Sequence, residues 1–374
     1  MFFRILCVIL TVAVLFGVAV LPAEADGIVP SVSAKGAVLI DAGDGRVLYE
    51  RNAHLRLPMA STTKIMTAIV AIEAGNLDET VKISQDAVGV EGSSIYLTEG
   101  ESLSLRELLY AVMLASANDA AAAVAIHIGG SVEGFAELMN QKAVELGCSD
   151  THFCNPHGLD AKEHYTSALD LARITAYALK NETFAKIAST VKQEITGVSE
   201  TKRYLVNHNR LLREYDGSIG VKTGFTKTSG RCLVSAAERN GLMLVAVTLS
   251  DPNDWRDHKN LLDYGFEFYR SVTLCRAGDN YGKVGVVSGE PGEVSCVTAK
   301  EVTLTLLSHG GEIEMRIERD RFLWEMPYDG ERLGRVVFYR DGKELAETEL
   351  IAKTSGVEQK ENSFLDFIRK IFGK

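Results

Sequence analysis

The chain is 374 residues long, 46% hydrophobic and 24% charged, with a formal net charge of −10. This is ordinary globular composition, at a length that suggests two domains or one large domain with an appendage. An acidic balance with no basic stripe argues against nucleic acid as a partner.

The first 25 residues stand apart. Arg4 precedes an apolar run over 5–22, and Ala23-Glu24-Ala25 supplies the small-x-small pattern of a signal peptidase site. Residues 1–25 therefore read as a signal peptide, with Asp26 as the expected mature N-terminus. An uncleaved signal anchor is the alternative, since the run could just reach across a bilayer. Both readings export the protein to the outer face of the cytoplasmic membrane or the cell envelope. Five cysteines follow: Cys148, Cys154, Cys232, Cys275 and Cys296. They are odd-numbered and sparse for an exported chain, which does not look like a disulfide framework. Cys148 and Cys154 are close enough in sequence to pair, with buried free thiols as the other reading. No Cys/His cluster has metal-ligand spacing.

Along the chain, 34–52 reads as two strands around Asp44-Gly45, a strong hairpin signal. Over 61–74, Ile65, Met66, Ile69, Val70 and Ile72 have a helical rhythm. Further helices are expected over 103–114, 119–128, 131–146 and 167–181. Near residue 218 strands take over, and Asn240-Gly241 between two apolar runs marks another hairpin. Strands open this region, helices fill its middle and strands close it. The simplest architecture is an α+β fold over 26–275: an antiparallel sheet whose first and last strands meet over a helical cluster. Short alternating strands separated by Gly-Gly, Asp-Gly and Pro-Gly turns then predict a small all-β sandwich over 276–353, with a spacing or docking role. A polar linker over 354–363 leads to FLDFIRKIFGK. There Phe364, Leu365, Phe367, Ile368, Ile371 and Phe372 share one helical face, and three basic residues, Arg369, Lys370 and Lys374, accompany them. Such an amphipathic helix suits a membrane surface. Packing on its own domain is the alternative.

Three short motifs carry chemistry. Ser61-x-x-Lys64 opens the first helix, although the same spacing also occurs at Ser189–Lys192 and Ser199–Lys202. Ser116-x-Asn118 is the only Ser-x-Asn and lies between two helices. Lys222-Thr223-Gly224 is the only Lys-Thr-Gly and lies in the first closing strand. Each motif is weak alone; in this order, on helix, loop and strand, the set is specific.

The set is that of serine penicillin-binding proteins and β-lactamases. The stretches LPMASTTKIMTA, LLYAVMLASANDAAAAVA, FCNPHGLD, HYTSALDLARI and GVKTGFT resemble the low-molecular-mass D-alanyl-D-alanine carboxypeptidases more closely. The all-β module and the terminal amphipathic helix match that family too. A serine hydroxyl is a poor nucleophile at neutral pH and needs a nearby base. Residues three apart on a helix share a face, so Lys64 can reach Ser61, but it must lose its proton, which desolvation and the charge of Lys222 favour. The resemblance implies Ser61 as acyl carrier, Lys64 as general base and Ser116 as proton relay to the leaving amine. It further implies Asn118 on both Lys64 and the substrate amide, and Lys222 and Thr223 on the terminal carboxylate. Gly224 would allow close approach of the strand, and the backbone N–H groups of Ser61 and Phe225 would hold the oxyanion. The implied substrate is the D-Ala-D-Ala end of a peptidoglycan stem peptide, β-lactams are the implied inhibitors, and neither metal nor organic cofactor is required.

Other residues are weighed and set aside. Asn155, His157 and Asp160 read as a structural loop, because Asn, Pro and Gly form turns. Tyr165 and Ser167 line the cleft or cap a helix, and Arg256 is as readily a surface charge as a carboxylate ligand. A β-lactamase would need a positioned deacylating water, and Glu163 lacks the Glu-x-x-x-Asn context for that. DD-endopeptidase action would use the same site. A catalytically dead wall-binding protein is disfavoured by the complete motif set.

Overall fold

The computed structural model describes residues 29–198, 200–288 and 292–354, so the expected signal segment and terminal amphipathic helix lie outside the described residues. Among those described, no helix is long and apolar enough to cross a membrane.

The first domain is built on a five-stranded antiparallel sheet. Strands β1 (Gly36–Asp41) and β2 (Val47–Arg51) form the first hairpin. Its turn is made by Asp44 and by Gly45 at φ +77°, and Asp44 Oδ1 accepts the Arg46 amide at 2.8 Å. Strands β3 (Ser218–Thr226), β4 (Gly230–Arg239) and β5 (Leu242–Leu249) close the domain. The order β2-β1-β5-β4-β3 brings the first and last strands together, as expected from sequence. Asn240 and Gly241 have φ of +51° and +76°, the paired positive dihedrals of a tight hairpin turn.

Every residue of β1 is buried, because both sheet faces are covered. Val38, Ile40, Val245 and Val247 point into the large helical core. Ala37, Leu39, Leu244 and Ala246 face a smaller cluster with Leu261 and Leu262. Helix α1 (Lys64–Ala74) runs through the large core and is buried from Lys64 to Ala71. It packs against α2 (Leu105–Leu114), α3 (Asn118–Gly129), α4 (Val132–Glu145), α5 (Ala168–Leu179) and α6 (Glu182–Ser189). The alanine run 120–123 in α3 is buried throughout, and small side chains let these backbones approach closely. Helix α7 (Asp254–Phe268) covers the opposite face of the sheet.

Several boundaries differ from the sequence reading. Ser61 belongs to a 3₁₀ turn, Ala60–Thr63, and the α-helix proper begins at Lys64. The 103–114 helix starts at Leu105, after Ser104 and Glu107 close a capping box. Helices α6 and α7 were not expected. Asn181 caps α6 by accepting the amides of Thr183 and Phe184. In α7 polar residues are buried at helical spacing: Asp254, Asp257 and His258 join Leu261 and Leu262 inside. His258 is held between the hydroxyls of Ser235 at 2.5 Å and Thr248 at 2.9 Å. Burial pushes its imidazole down to about 3, so it is neutral.

The second domain is all-β. Strands β6 (Tyr269–Cys275) and β9 (Val302–Leu307) form one pair. The six-stranded sheet contains β7 (Asn280–Val286), β8 (Gly292–Thr298), β10 (Ile313–Arg319), β11 (Phe322–Leu323), β12 (Arg332–Arg340) and β13 (Lys343–Lys353), in the order β10-β12-β13-β8-β7-β11. The two layers meet where Cys275 packs with Val336, Phe338 and Leu350. The expected division after Cys275 needs correction, because β6 hydrogen-bonds to β9 and so joins the second domain. The chain passes from α7 at Phe268 directly into β6 at Tyr269, so the compositional change at 276 trails the structural one by a strand. The domains are clamped at Thr305. Its amide donates to Asp44 Oδ2 at 3.3 Å, its carbonyl accepts from Arg46 Nη1 at 2.7 Å, and its hydroxyl donates to the buried Asp41.

Candidate active site

Ser61 sits in the first turn of the α1 assembly, where backbone N–H groups have no intrahelical acceptor. Two glycines press against this turn. A Cβ on Gly158, at φ +91°, would lie 1.9 Å from the Ala60 carbonyl and 2.9 Å from the Ser61 amide. One on Gly224 would lie 3.0 Å from the Ser61 amide and 3.1 Å from the Met59 carbonyl. Only glycine fits at 158, and the missing side chain at 224 lets β3 run directly beside the Ser61 backbone.

Lys64 is the centre of the arrangement. Its side chain is buried, 0% exposed, and its Nζ lies 3.0 Å from Ser61 Oγ, 2.6 Å from Asn118 Oδ1 and 2.6 Å from the His157 carbonyl. All three partners are uncharged oxygens. Burial first, and the charge of Lys222 second, hold the Lys64 amine well below its usual range, against an opposing pull from Asp119. A neutral amine has two N–H bonds and one lone pair. The Asn118 and His157 oxygens can only accept, so they take the two N–H groups. The lone pair is left for the Ser61 hydroxyl proton.

Lys222 is 1% exposed, and its Nζ donates to the Thr223 carbonyl at 3.0 Å. Burial alone pushes it down to about 7. It carries its charge below about pH 7, where it is a desolvated cation suited to an anion arriving from solvent. Thr223 is half-buried, and Phe225, 66% exposed, projects its ring from the same strand. Ser116 is 4% exposed and adopts φ +58° at the break between α2 and α3, two positions before Asn118.

The structure thus brings Ser61, Lys64 and Asn118 into contact, sets Gly224 against Ser61, puts Lys222 within electrostatic reach of Lys64, and places Ser116 beside Asn118 in the chain. The sequence reading missed the His157 backbone. Asn155 Oδ1 accepts the Gly158 amide at 2.7 Å and its Nδ2 donates to Leu159 O at 2.9 Å, shaping the loop. Thr67 Oγ1 ties the Pro156 carbonyl to α1 at 2.6 Å. A carbonyl ligand leaves no side-chain signature, so the only available signal was the Asn-Pro-x-Gly turn. The His157 ring, pushed down to about 3 chiefly by burial, is neutral.

The residues set aside have structural places. Ser167 caps α5 by accepting the Asp170 amide. Tyr165 carries the Arg56 guanidinium on its ring. Arg256 lies 3.4 Å from Asp257, and Glu163 is exposed. Cys148 and Cys154 are free thiols. Among the described residues no group of three or more His, Cys, Asp or Glu side chains could hold a metal ion.

A family profile described as D-alanyl-D-alanine carboxypeptidase matches residues 23–253, and one described as the C-terminal domain of penicillin-binding protein 5 matches 269–358. D-alanyl-D-alanine carboxypeptidase DacF of Bacillus subtilis (strain 168) is 34% identical over 352 residues, 91% of this chain and 89% of the relative. DacA of Escherichia coli (strain K12) is 34% identical over 74% of this chain and 72% of its own. Among solved structures, penicillin-binding protein 5 from Haemophilus influenzae aligns with a TM-score of 0.74 at 30% identity, covering 87% of this chain and 98% of that one. The site, the two-domain architecture and these relatives agree: the chain belongs to the D-alanyl-D-alanine carboxypeptidase family of serine peptidases.

Proposed function

We propose that this enzyme removes the terminal D-alanine from peptidoglycan stem peptides ending in D-Ala-D-Ala, through an acyl-enzyme on Ser61. The observation that carries the reading is the buried Lys64 amine, whose Nζ lies within hydrogen-bond reach of Asn118 Oδ1, the His157 carbonyl and Ser61 Oγ; once deprotonated, it donates to the first two and turns its lone pair to Ser61. In acylation the Ser61 hydroxyl proton passes to Lys64 Nζ as Oγ bonds to the penultimate carbonyl carbon. The oxyanion is held by the Ser61 and Phe225 amides. Removing one such donor typically costs about 10²–10³ in rate. As the C–N bond breaks, Ser116 relays a proton to the departing amine. Water, deprotonated by Lys64, then releases the shortened peptide. Lys222 and Thr223 hold the substrate carboxylate, and Asn118 holds its amide.

β-Lactams acylate Ser61 by the same steps, and the exposed position of Glu163 offers no base for fast deacylation. Amino acid analysis of a pentapeptide ending in D-Ala-D-Ala should show stoichiometric D-alanine release. Rapid sustained hydrolysis of nitrocefin without D-alanine release would favour the β-lactamase reading. The exported location rests on residues 1–25, and membrane association rests on the amphipathic pattern over 364–374. Sedimentation with anionic phospholipid vesicles tests the latter: the protein should pellet with them, and an Ile368→Glu/Phe372→Glu variant should not.

A further inference from the structure

A buried carboxylate beside the site has no role in the chemistry described so far. Asp119, 2% exposed, follows Asn118 in the first turn of α3. It reaches across to the loop over 91–98. Ser94 Oγ donates to its Oδ2 at 2.6 Å, the Leu97 amide to its Oδ2 at 3.0 Å and the Ile95 amide to its Oδ1 at 3.2 Å. The same loop holds Asn118 in return. The Asn118 amide donates to Ser93 O at 2.7 Å, and its Nδ2 donates to Glu91 O at 2.5 Å. The second contact orients the side chain, leaving Oδ1 for Lys64. Gly92 stands so close that a Cβ there would come within 2.7 Å of Asn118 Nδ2. The loop is clamped from outside as well. Arg203 donates to Ile95 O at 2.8 Å and Tyr96 O at 3.3 Å while paired with the buried Glu101.

We propose that Asp119 is a positioning residue for acylation, fixing Asn118 against Lys64 by way of the 91–98 loop. This rests on the reading of Ser61 and Lys64 given above. Asp119 has a second effect through space. The groups facing the Lys64 amine are Lys222 from β3, Asp119 from α3, and His157 and His164 from the 152–166 segment. Both histidines are held neutral, His157 at about 3 and His164 at about 4, by burial. Asp119 is therefore the anion opposing the Lys222 cation, and its charge keeps Lys64 more basic than burial and Lys222 alone would leave it. No corresponding pull acts on Lys222.

The test is the pH profile of the second-order acylation rate with fluorescent penicillin, measured on the mature protein and on Asp119→Asn, Ser94→Ala and Glu101→Gln. Asp119→Asn should lower the plateau rate, by up to about 10²-fold if Asn118 is displaced by as much as an ångström. It should also move the acid limb to lower pH and leave the alkaline limb in place. Ser94→Ala and Glu101→Gln, which loosen the loop but keep the Asp119 charge, should lower the rate with both limbs unmoved. A wild-type rate and profile in Asp119→Asn would overturn the proposal, and a lowered rate with an unmoved acid limb would overturn its electrostatic half. Should Asp119→Asn fail to fold, a wild-type rate in Ser94→Ala would contradict the positioning role. Failure of the parent protein to acylate at all would instead count against Ser61.

Discussion

The two domains treat burial in opposite ways. In the catalytic domain Lys64 and Lys222 are 0% and 1% exposed, and the three hydrogen-bond partners of Lys64 are uncharged oxygens. In the second domain large apolar side chains face water. Phe322, Trp324, Met326 and Tyr328, at alternate positions of one segment, are 50%, 72%, 37% and 73% exposed. Burying an amine without a carboxylate costs free energy, and the group responds by giving up its proton. That response is what the proposed base role of Lys64 requires. The first domain can sustain this because its core is large and covers both sheet faces. Among the described residues the second domain has two small clusters of its own and no comparable buried charge to support. Catalysis should accordingly be sensitive to charge and shape around α1 and indifferent to changes in the β domain.

The largest expected effect comes from making the buried amine permanently charged. Lys64→Arg keeps a cation but cannot act as a base, so labelling by fluorescent penicillin should slow by about 10²–10⁴-fold. Labelling within tenfold of wild type would show that proton abstraction lies elsewhere. The next effect is in pH. Lys222 loses its charge as pH rises through about 7, so kcat/KM for a peptide with a free C-terminal carboxylate should fall on the alkaline side. A C-terminal amide analogue, lacking the anion, should lack that limb. Stability should run the other way. An unfolded lysine binds its proton up to about 10.4. Between about 7 and that value the unfolded state therefore holds more protons at this residue, and its contribution to stability rises with pH. A denaturation series across this window, compared with Lys222→Met, checks the sign.

Shape follows charge. Gly158→Ala must force its Cβ away from the Ala60 carbonyl, so it should cost about 1–3 kcal/mol in a melting experiment and slow acylation as well. In the interdomain clamp, Thr305→Val removes the hydroxyl that donates to Asp41. It should cost about 1 kcal/mol with the acylation rate unchanged. Trp324→Ala should change stability least, by about 0.5 kcal/mol or less, again without affecting acylation. Loss of acylation in either second-domain variant would break the contrast between the domains.

Much of the catalytic domain was legible in sequence because its signals are local. Asp44-Gly45 and Asn240-Gly241 demand positive φ, and the apolar rhythm of α1 is strong. The Ser-x-x-Lys spacing is steric information in itself. Helix α7 was missed for a physical reason: its buried face contains Asp254, Asp257 and His258, whose polarity is satisfied only by partners distant in sequence, such as Ser33 on Asp257 at 2.6 Å. The capping box at Ser104 and Glu107 was readable and passed over. At the site, the side-chain ligands of Lys64 were foreseen and the His157 carbonyl was not, since any residue can supply a carbonyl. The domain boundary was misplaced by one strand because β6 carries no turn signal separating it from α7.

The central claim is that the Ser61 oxygen bonds covalently to a β-lactam carbonyl under the control of Lys64. Incubation with benzylpenicillin, proteolysis and mass mapping tests it most directly. The account predicts one penicilloyl adduct per chain, on the peptide containing Ser61, absent in Ser61→Ala and formed far more slowly in Lys64→Arg. An adduct that persists in Ser61→Ala, or that maps to another peptide, would contradict it.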